Sequence, residues 1–208
     1  MTAIIDYGVG NLFSLVSSFE KIGEQAVITA DPAMLETADR IVLPGVGAFQ
    51  DAAEKLNASG LIPALQEQID KGKPVLGICL GMQLLFDKSF EYGEHAGLGL
   101  IAGEIRPIAD RVSDLKIPHM GWNALHFEHG KHPLFQHINE GDCVYFVHSF
   151  CAVNCEADRI AWSEYGADIT AAVARGNVMG CQFHPEKSGD VGLSILRAFC
   201  EMKEGSLC

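Results

Sequence analysis

Between Ala3 and Ile78 four short apolar runs, AIIDYG, QAVITA, RIVLPG and PVLGI, each give way to a turn or to a segment of helical periodicity. A strand that is apolar at nearly every position has to be covered on both faces. Strands alternating with helices supply that cover as a parallel sheet between two helical layers. The intervening helices read as Asn11 to Ile22 closed by Gly23, a short helix opened by Asp31-Pro32, FQDAAEKLNAS, LIPALQEQIDK ended by Gly72, and Leu80 to Asp87. After Gly99 the texture changes. LIAGEIRPI, WNALHFE, CVYFVHSF, IAWSEY, TAAVARG and VMGCQFH read as successive strands, and a last helix is expected from about Asp190 to Lys203. The expected fold is α/β: a single domain over residues 1–208, with a mixed, mostly parallel sheet and helices on both faces.

Composition narrows the partners. Apolar residues make up 48% of the chain and charged ones 20%, enough to bury a core. The net charge of -12 repels phosphate backbones and anionic bilayers, so the expected partners are a small substrate or a protein, with no nucleic acid and no membrane. No uncharged apolar run reaches the length of a membrane span, and the opening MTAIIDYGVG lacks the basic n-region of a signal peptide. Seven cysteines, an odd number, read as reduced thiols, and a cytoplasmic location is expected.

The apolar run PVLGI continues as CLGMQLLF, which sets Cys79 between Gly77 and Gly81 where strand becomes helix. A G-x-C-x-G turn follows the logic of the nucleophile elbow. The central residue takes a strained conformation that neighbours without Cβ atoms permit, and its side chain stands at the carboxyl end of the sheet. The positive end of the helix starting at Leu80 is expected to favour the thiolate. The other six cysteines lack this setting; Cys151 and Cys155 have no second pair to complete a zinc site and read as structural.

A thiolate nucleophile needs a base, and MGCQFHPEKSG offers one. His184 and Glu186 are two residues apart, so in extended chain they share a face, and the carboxylate can orient the imidazole. In IVLPGVGAFQ, glycines on both sides of Val46 let the peptide units turn. A backbone N–H of Val46 or Gly47, together with that of Leu80, could hold a developing oxyanion. Neither PGVG nor DYGVGN continues as a dinucleotide-binding G-x-G-x-x-G. His126, His129, His132 and His137 straddle a loop around Pro133 and read as surface histidines, so no metal and no cofactor are expected.

GICLGMQ, PGVG and FHPE, in that order, resemble the class I (triad) glutamine amidotransferases. DYGVGNL, PHMGWN, YFVHSF and HPEKSG bring the resemblance, over essentially the whole chain, to the glutaminase subunits of imidazole glycerol phosphate synthases of histidine biosynthesis. The resemblance implies a catalytic triad of Cys79, His184 and Glu186. It implies an oxyanion hole from Val46, Gly47 and Leu80, and a glutamine grip from Gln83 and the backbone of His148, Ser149 and Phe150. Relatives commonly carry tyrosine where this chain has Phe150, so that hydroxyl is missing here. The implied partner is a (β/α)8-barrel cyclase subunit in a heterodimer, met through Asn11, His119, Met120, Trp122, Asn123 and Lys187. There ammonia would join phosphoribulosyl-formimino-aminoimidazole-carboxamide ribotide to give imidazole glycerol phosphate and AICAR. Two other readings stay open: a glutaminase for another pathway (anthranilate or guanylate synthesis, or a free-standing γ-glutamyl hydrolase), and an inactive glutamine-sensing scaffold.

Overall fold

The computed structural model describes residues 1–203 and Gly205. Its first half follows the alternation of apolar runs and helices: β1 (Thr2–Ile5), α1 (Leu12–Lys21), β2 (Ala26–Thr29), α2 (Pro32–Thr37), β3 (Arg40–Leu43), α3 (Phe49–Ser59), α4 (Ile62–Asp70), β4 (Val75–Ile78) and α5 (Leu80–Leu84). Asp31 caps α2 as its sequence predicts, its Oδ1 accepting from Ala33 N at 2.9 Å. The second half is mostly strand: β5 (Phe86–Ser89), β6 (His95–Ala96), β7 (Ile101–Pro107), β8 (His119–Ala124), β9 (His126–Phe127), β10 (Cys143–His148), β11 (Phe150–Val153), β12 (Arg159–Glu164), β13 (Asp168–Arg175), β14 (Val178–Cys181) and the helix α6 (Gly189–Glu201).

The main sheet has eight strands in the order β2-β1-β3-β4-β14-β13-β12-β9. The five from β2 to β14 are parallel, and the last three are added antiparallel. The apolar runs are continuous because alternate residues serve opposite faces. Ala3, Ile5, Ile41, Leu43 and Val75 join a core with Leu35, Phe49, Leu56 and Leu65 of α2, α3 and α4. Ile4, Val42, Leu76 and Ile78 join a second core with Leu15 and Phe19 of α1 and Ile195 and Phe199 of α6. Each fully buried side chain of this size contributes about 1.5–3 kcal/mol. Among the described residues no helix is long and apolar enough to cross a membrane.

Three expectations are corrected. The helix from Leu80 stops at Leu84, because Phe86–Ser89 pairs with β7 in a separate four-stranded sheet, β11-β7-β5-β6. The run CVYFVHSF is two strands: β10 pairs with β8 in a two-stranded ribbon, then the chain turns at Ser149 and β11 joins β7. The run WNALHFE is likewise divided between β8 and β9. Local alternation marks a strand but carries no information on which sheet it joins.

Candidate active site

β3, β4 and β14 lie side by side and run parallel, so their carboxyl ends open on one edge of the sheet. From them emerge the segment Pro44–Gly47, Cys79, and the 182–187 segment bearing His184. Residues far apart in sequence thus line one cavity of about 440 Å³, whose walls include Val46, Gly47, Cys79, Leu80, Gln83 and His184.

Cys79 occupies φ 54, ψ -113, a conformation rare for any residue with a Cβ and a local store of strain. The collar glycines have a different reason. Neither Gly77 nor Gly81 has positive φ; both are set by close approach. A Cβ on Gly81 would lie 1.9 Å from the Leu43 carbonyl oxygen, and one on Gly77 would lie 2.7 Å from the Gly81 oxygen. Gly45 is held the same way, its Cβ position being 2.7 Å from Gly81 N. Any turning of the PGVG peptides is therefore confined to its far end, where Gly47 has φ 94 and open space around it.

The imidazole expected near the thiol is there. His184 and Cys79 line the same cavity, and His184 Nδ1 donates to Glu186 Oε1 at 2.8 Å, with the side chains of His184 and Glu186 buried. Burial by itself lowers the His184 pKa, but the neighbouring Cys79 sulfur and the Glu186 carboxylate outweigh it and raise it to about 9. Because α5 spans only Leu80–Leu84, its dipole is smaller than the sequence suggested, and the cation facing the sulfur is His184. An imidazole pKa raised from 6.5 to about 9 stabilises the fold fully below pH 6.5, and that contribution is lost as pH rises through 9. Urea midpoints are therefore expected to fall between these pH values. The fall should be smaller for Glu186→Gln, which removes one of the raising partners; equal slopes for the two proteins would contradict the ion-pair geometry.

The Ser149 corner carries residues 148–150 over the cavity. The Phe150 carbonyl accepts from Gln83 Nε2 at 3.3 Å and from His148 Nδ1 at 2.7 Å. His148 Nε2 lies 3.0 Å from His119 Nδ1, and the far nitrogen of His119 lies 3.0 Å from the Asn123 amide. Burial pushes the pKa of His148 down to about 3 and also lowers that of His119.

His119 is thus corrected as an interface residue. It is fully buried, stacked between Phe146 and Tyr165 with ring centroids 4.8 and 4.1 Å away. Strand alternation is the reason: on β8, His119 and Asn123 turn inward to meet each other, while Met120 and Trp122 face solvent at 59% and 55% exposure. Asn11 is half-buried just before α1, and Lys187 is exposed beside the cavity.

Sequence reasoning missed four residues. Glu91 lines the cavity, and its Oε2 accepts from Phe49 N at 2.6 Å at the start of α3; nothing in the local pattern EYGEH marks it. Tyr7 is buried near Cys79 and donates to the Pro44 carbonyl at 2.6 Å; burial first, then the nearby sulfur, raises its pKa. Gln182 is fully buried, with Nε2 3.7 Å from Cys79 Sγ; a polar residue beside the histidine of an apolar run was the available signal. Phe13 on α1 is 84% exposed. Among the described residues no group of three His, Cys, Asp or Glu side chains is placed to hold a metal ion.

A thiol sharing a cavity with an imidazole that a carboxylate holds by a hydrogen bond, at the carboxyl edge of an α/β sheet, forms an arrangement suited to acyl transfer through a cysteine nucleophile. The profile of the class-I glutamine amidotransferase family matches residues 3–202, and the chain belongs to that family. It is 51% identical over 205 residues to the imidazole glycerol phosphate synthase subunit HisH of Wolinella succinogenes, covering 97% of this chain and 100% of that one. It is 47% identical over 207 residues to the same subunit of Syntrophotalea carbinolica, with the same coverage. Solved structures share the fold at lower identity. PurLQS from Thermotoga maritima matches with a TM-score of 0.74 at 20% identity, over 96% of each chain. A glutamine amidotransferase crystal structure matches with a TM-score of 0.73 at 17% identity, over 95% of this chain and 98% of the other.

Proposed function

We propose that this chain is the glutaminase subunit of an imidazole glycerol phosphate synthase, releasing ammonia from glutamine for a separate cyclase subunit. The observation that carries the reading is Cys79 on its left-handed turn, sharing one cavity wall with an imidazole that Glu186 holds, in a space large enough for an amino acid. The Cys79 thiolate attacks the side-chain carboxamide carbon of glutamine. Backbone N–H groups of Leu80 and of Val46 or Gly47 take the negative charge of the tetrahedral adduct. His184 gives its proton to the departing nitrogen, which leaves as ammonia, and a γ-glutamyl thioester remains. The same imidazole then accepts a proton from water as water attacks the thioester; glutamate leaves and the thiolate returns.

Gln83 and the backbone of residues 148–150 are placed to hold the substrate, with Ser149 and Phe150 on the cavity wall. The Glu91 carboxylate on the same wall suits the α-ammonium of glutamine. Phe150 accepts its hydrogen bonds through its carbonyl, so the absence of a hydroxyl there leaves this grip intact.

The partner in this reading is a (β/α)8-barrel cyclase, joined as a cytoplasmic heterodimer. Ammonia released into neutral water is protonated and ceases to be a nucleophile, so direct transfer favours a seam closed by the partner. Met120, Trp122 and Phe13 are exposed apolar side chains suited to such a seam, with Asn11 and Lys187 available at its polar margin. Trp122→Ala is expected to weaken binding of the cyclase about 30-fold, the effect of losing an anchor worth ~2 kcal/mol. Calorimetry or surface plasmon resonance with the purified subunits measures it, and an unchanged Kd would remove Trp122 from the seam. The turning of Gly47 offers a means of control, in which an oxyanion donor rotates inward when the liganded cyclase binds. Glutamate release, measured with and without the cyclase and its acceptor nucleotide, tests both the pairing and the control. Activation instead by an anthranilate or guanylate synthase and its acceptor would assign the chain to another pathway.

A further inference from the structure

Gln182 sits between the glutamine grip and the nucleophile, and the roles given so far to Cys79 and His184 leave it unused. Resting on the reading of Cys79 as the nucleophile, we propose that the Gln182 carboxamide is a second hydrogen-bond donor to the Cys79 sulfur, holding it as the thiolate alongside His184.

The orientation of the amide follows from its neighbours. The Phe150 carbonyl can only accept, so Nε2 of Gln83 faces it at 3.3 Å. The same Gln83 Nε2 donates to Gln182 Oε1 at 2.9 Å. That commits the oxygen of Gln182, and its Nε2 is left facing Cys79 Sγ at 3.7 Å, within reach of a long N–H···S bond. Reversing the amide would point two NH2 groups at each other and an oxygen at the sulfur. A fully buried amide is costly to keep unless its donors are used, so a spacer here would be better made of hydrocarbon.

The other groups around the sulfur do not duplicate this bond. Tyr7, beyond the end of β1, spends its O–H on the Pro44 carbonyl. Cys181 on β14 is a buried thiol whose S–H is at best a weak donor. His184, backed by Glu186, is the other donor, and it must surrender its proton to the leaving ammonia. While the imidazole is neutral, Gln182 is the donor that remains. The bond matters twice: it favours the thiolate before attack, and it stabilises the sulfur as leaving group when water breaks the thioester.

The test uses the full chain and its Gln182→Met variant, similar in volume but without an N–H. The pH dependence of Cys79 alkylation by iodoacetamide is followed by mass spectrometry, which separates Cys79 from the other thiols. Losing one charge-assisted bond should move the alkylation midpoint up by about one pH unit, roughly tenfold slower labelling on the acid limb. The high-pH plateau should not fall. A packing role would raise the KM for glutamine through Gln83 and leave the alkylation midpoint in place, and that result would overturn the proposal. A second measurement needs no variant: in the wild-type chain the side-chain amide resonances of Gln182 should move as Cys79 titrates, and immobile resonances would also overturn it. If wild-type Cys79 fails to alkylate at any pH, the nucleophile reading falls first and this inference with it.

Discussion

Cys79→Ala is expected to abolish glutamine-dependent product formation, by at least about 10⁴-fold, while the paired complex still turns over with added ammonium salt. The two halves of the result have separate causes. Without a sulfur no thioester can form, and His184 alone offers water no comparable route to the carboxamide. The cyclization of the acceptor needs only ammonia, which can enter from solvent when its supply is high. Alanine also fits the site physically, since Cys79 lies against the cavity and its replacement leaves the close contacts of Gly77 and Gly81 unchanged. Comparing rates on glutamine and on ammonium chloride for the purified pair decides the matter. A variant that kept glutamine turnover would dismiss the thioester mechanism, and one that lost both activities would point to a disrupted interface.

Gly81→Ala should be far more damaging to the fold than its chemistry suggests, costing more than about 3 kcal/mol or preventing folding of the elbow altogether. The added Cβ would lie 1.9 Å from the carbonyl oxygen of Leu43 and 3.1 Å from the carbonyl carbon of Pro44. Both are backbone atoms of β3 and its exit, unable to rotate away as a flexible side chain would. Ala is otherwise the better helix former than Gly by about 1 kcal/mol, so propensity alone predicts the opposite sign. Denaturant unfolding compared with Gly60→Ala calibrates the result. Gly60 closes α3 at φ 71 with nothing near its Cβ position, and so reports the cost of strain without collision. Equal losses at both sites would mean that the sheet and α5 do not approach as closely as described.

Much of the first half was legible because its signals are local. The four apolar runs each became a strand of the main sheet, and Asp31-Pro32 opened a helix by means of atoms within three residues of one another. The pairing of His184 with Glu186 was legible for the same reason, since two side chains two residues apart meet without help from the rest of the fold. His119 shows the limit. The resemblance puts His119, Met120, Trp122 and Asn123 of PHMGWN together at the interface, yet strand parity divides them, sending His119 inward and Met120 and Trp122 outward. Parity follows from the start and register of a strand, which were not visible until β8 had paired with β10. Ser149 was likewise hidden inside what read as one strand, because the corner there depends on β10 and β11 finding partners in different sheets.

The sequence by itself determined a layered α/β chain with a strained cysteine turn and a histidine–carboxylate pair, since periodicity, glycine placement and short spacing act over a few residues. Only the tertiary structure decided that β3, β4 and β14 stand adjacent and so bring PGVG, Cys79 and His184 to one edge. It also decided that Glu91 lines that cavity and that Gln182, buried behind it, faces the Cys79 sulfur. The physical reason is that strand order and side-chain orientation are settled by contacts between distant segments, and a stretch of chain read in isolation contains neither partner.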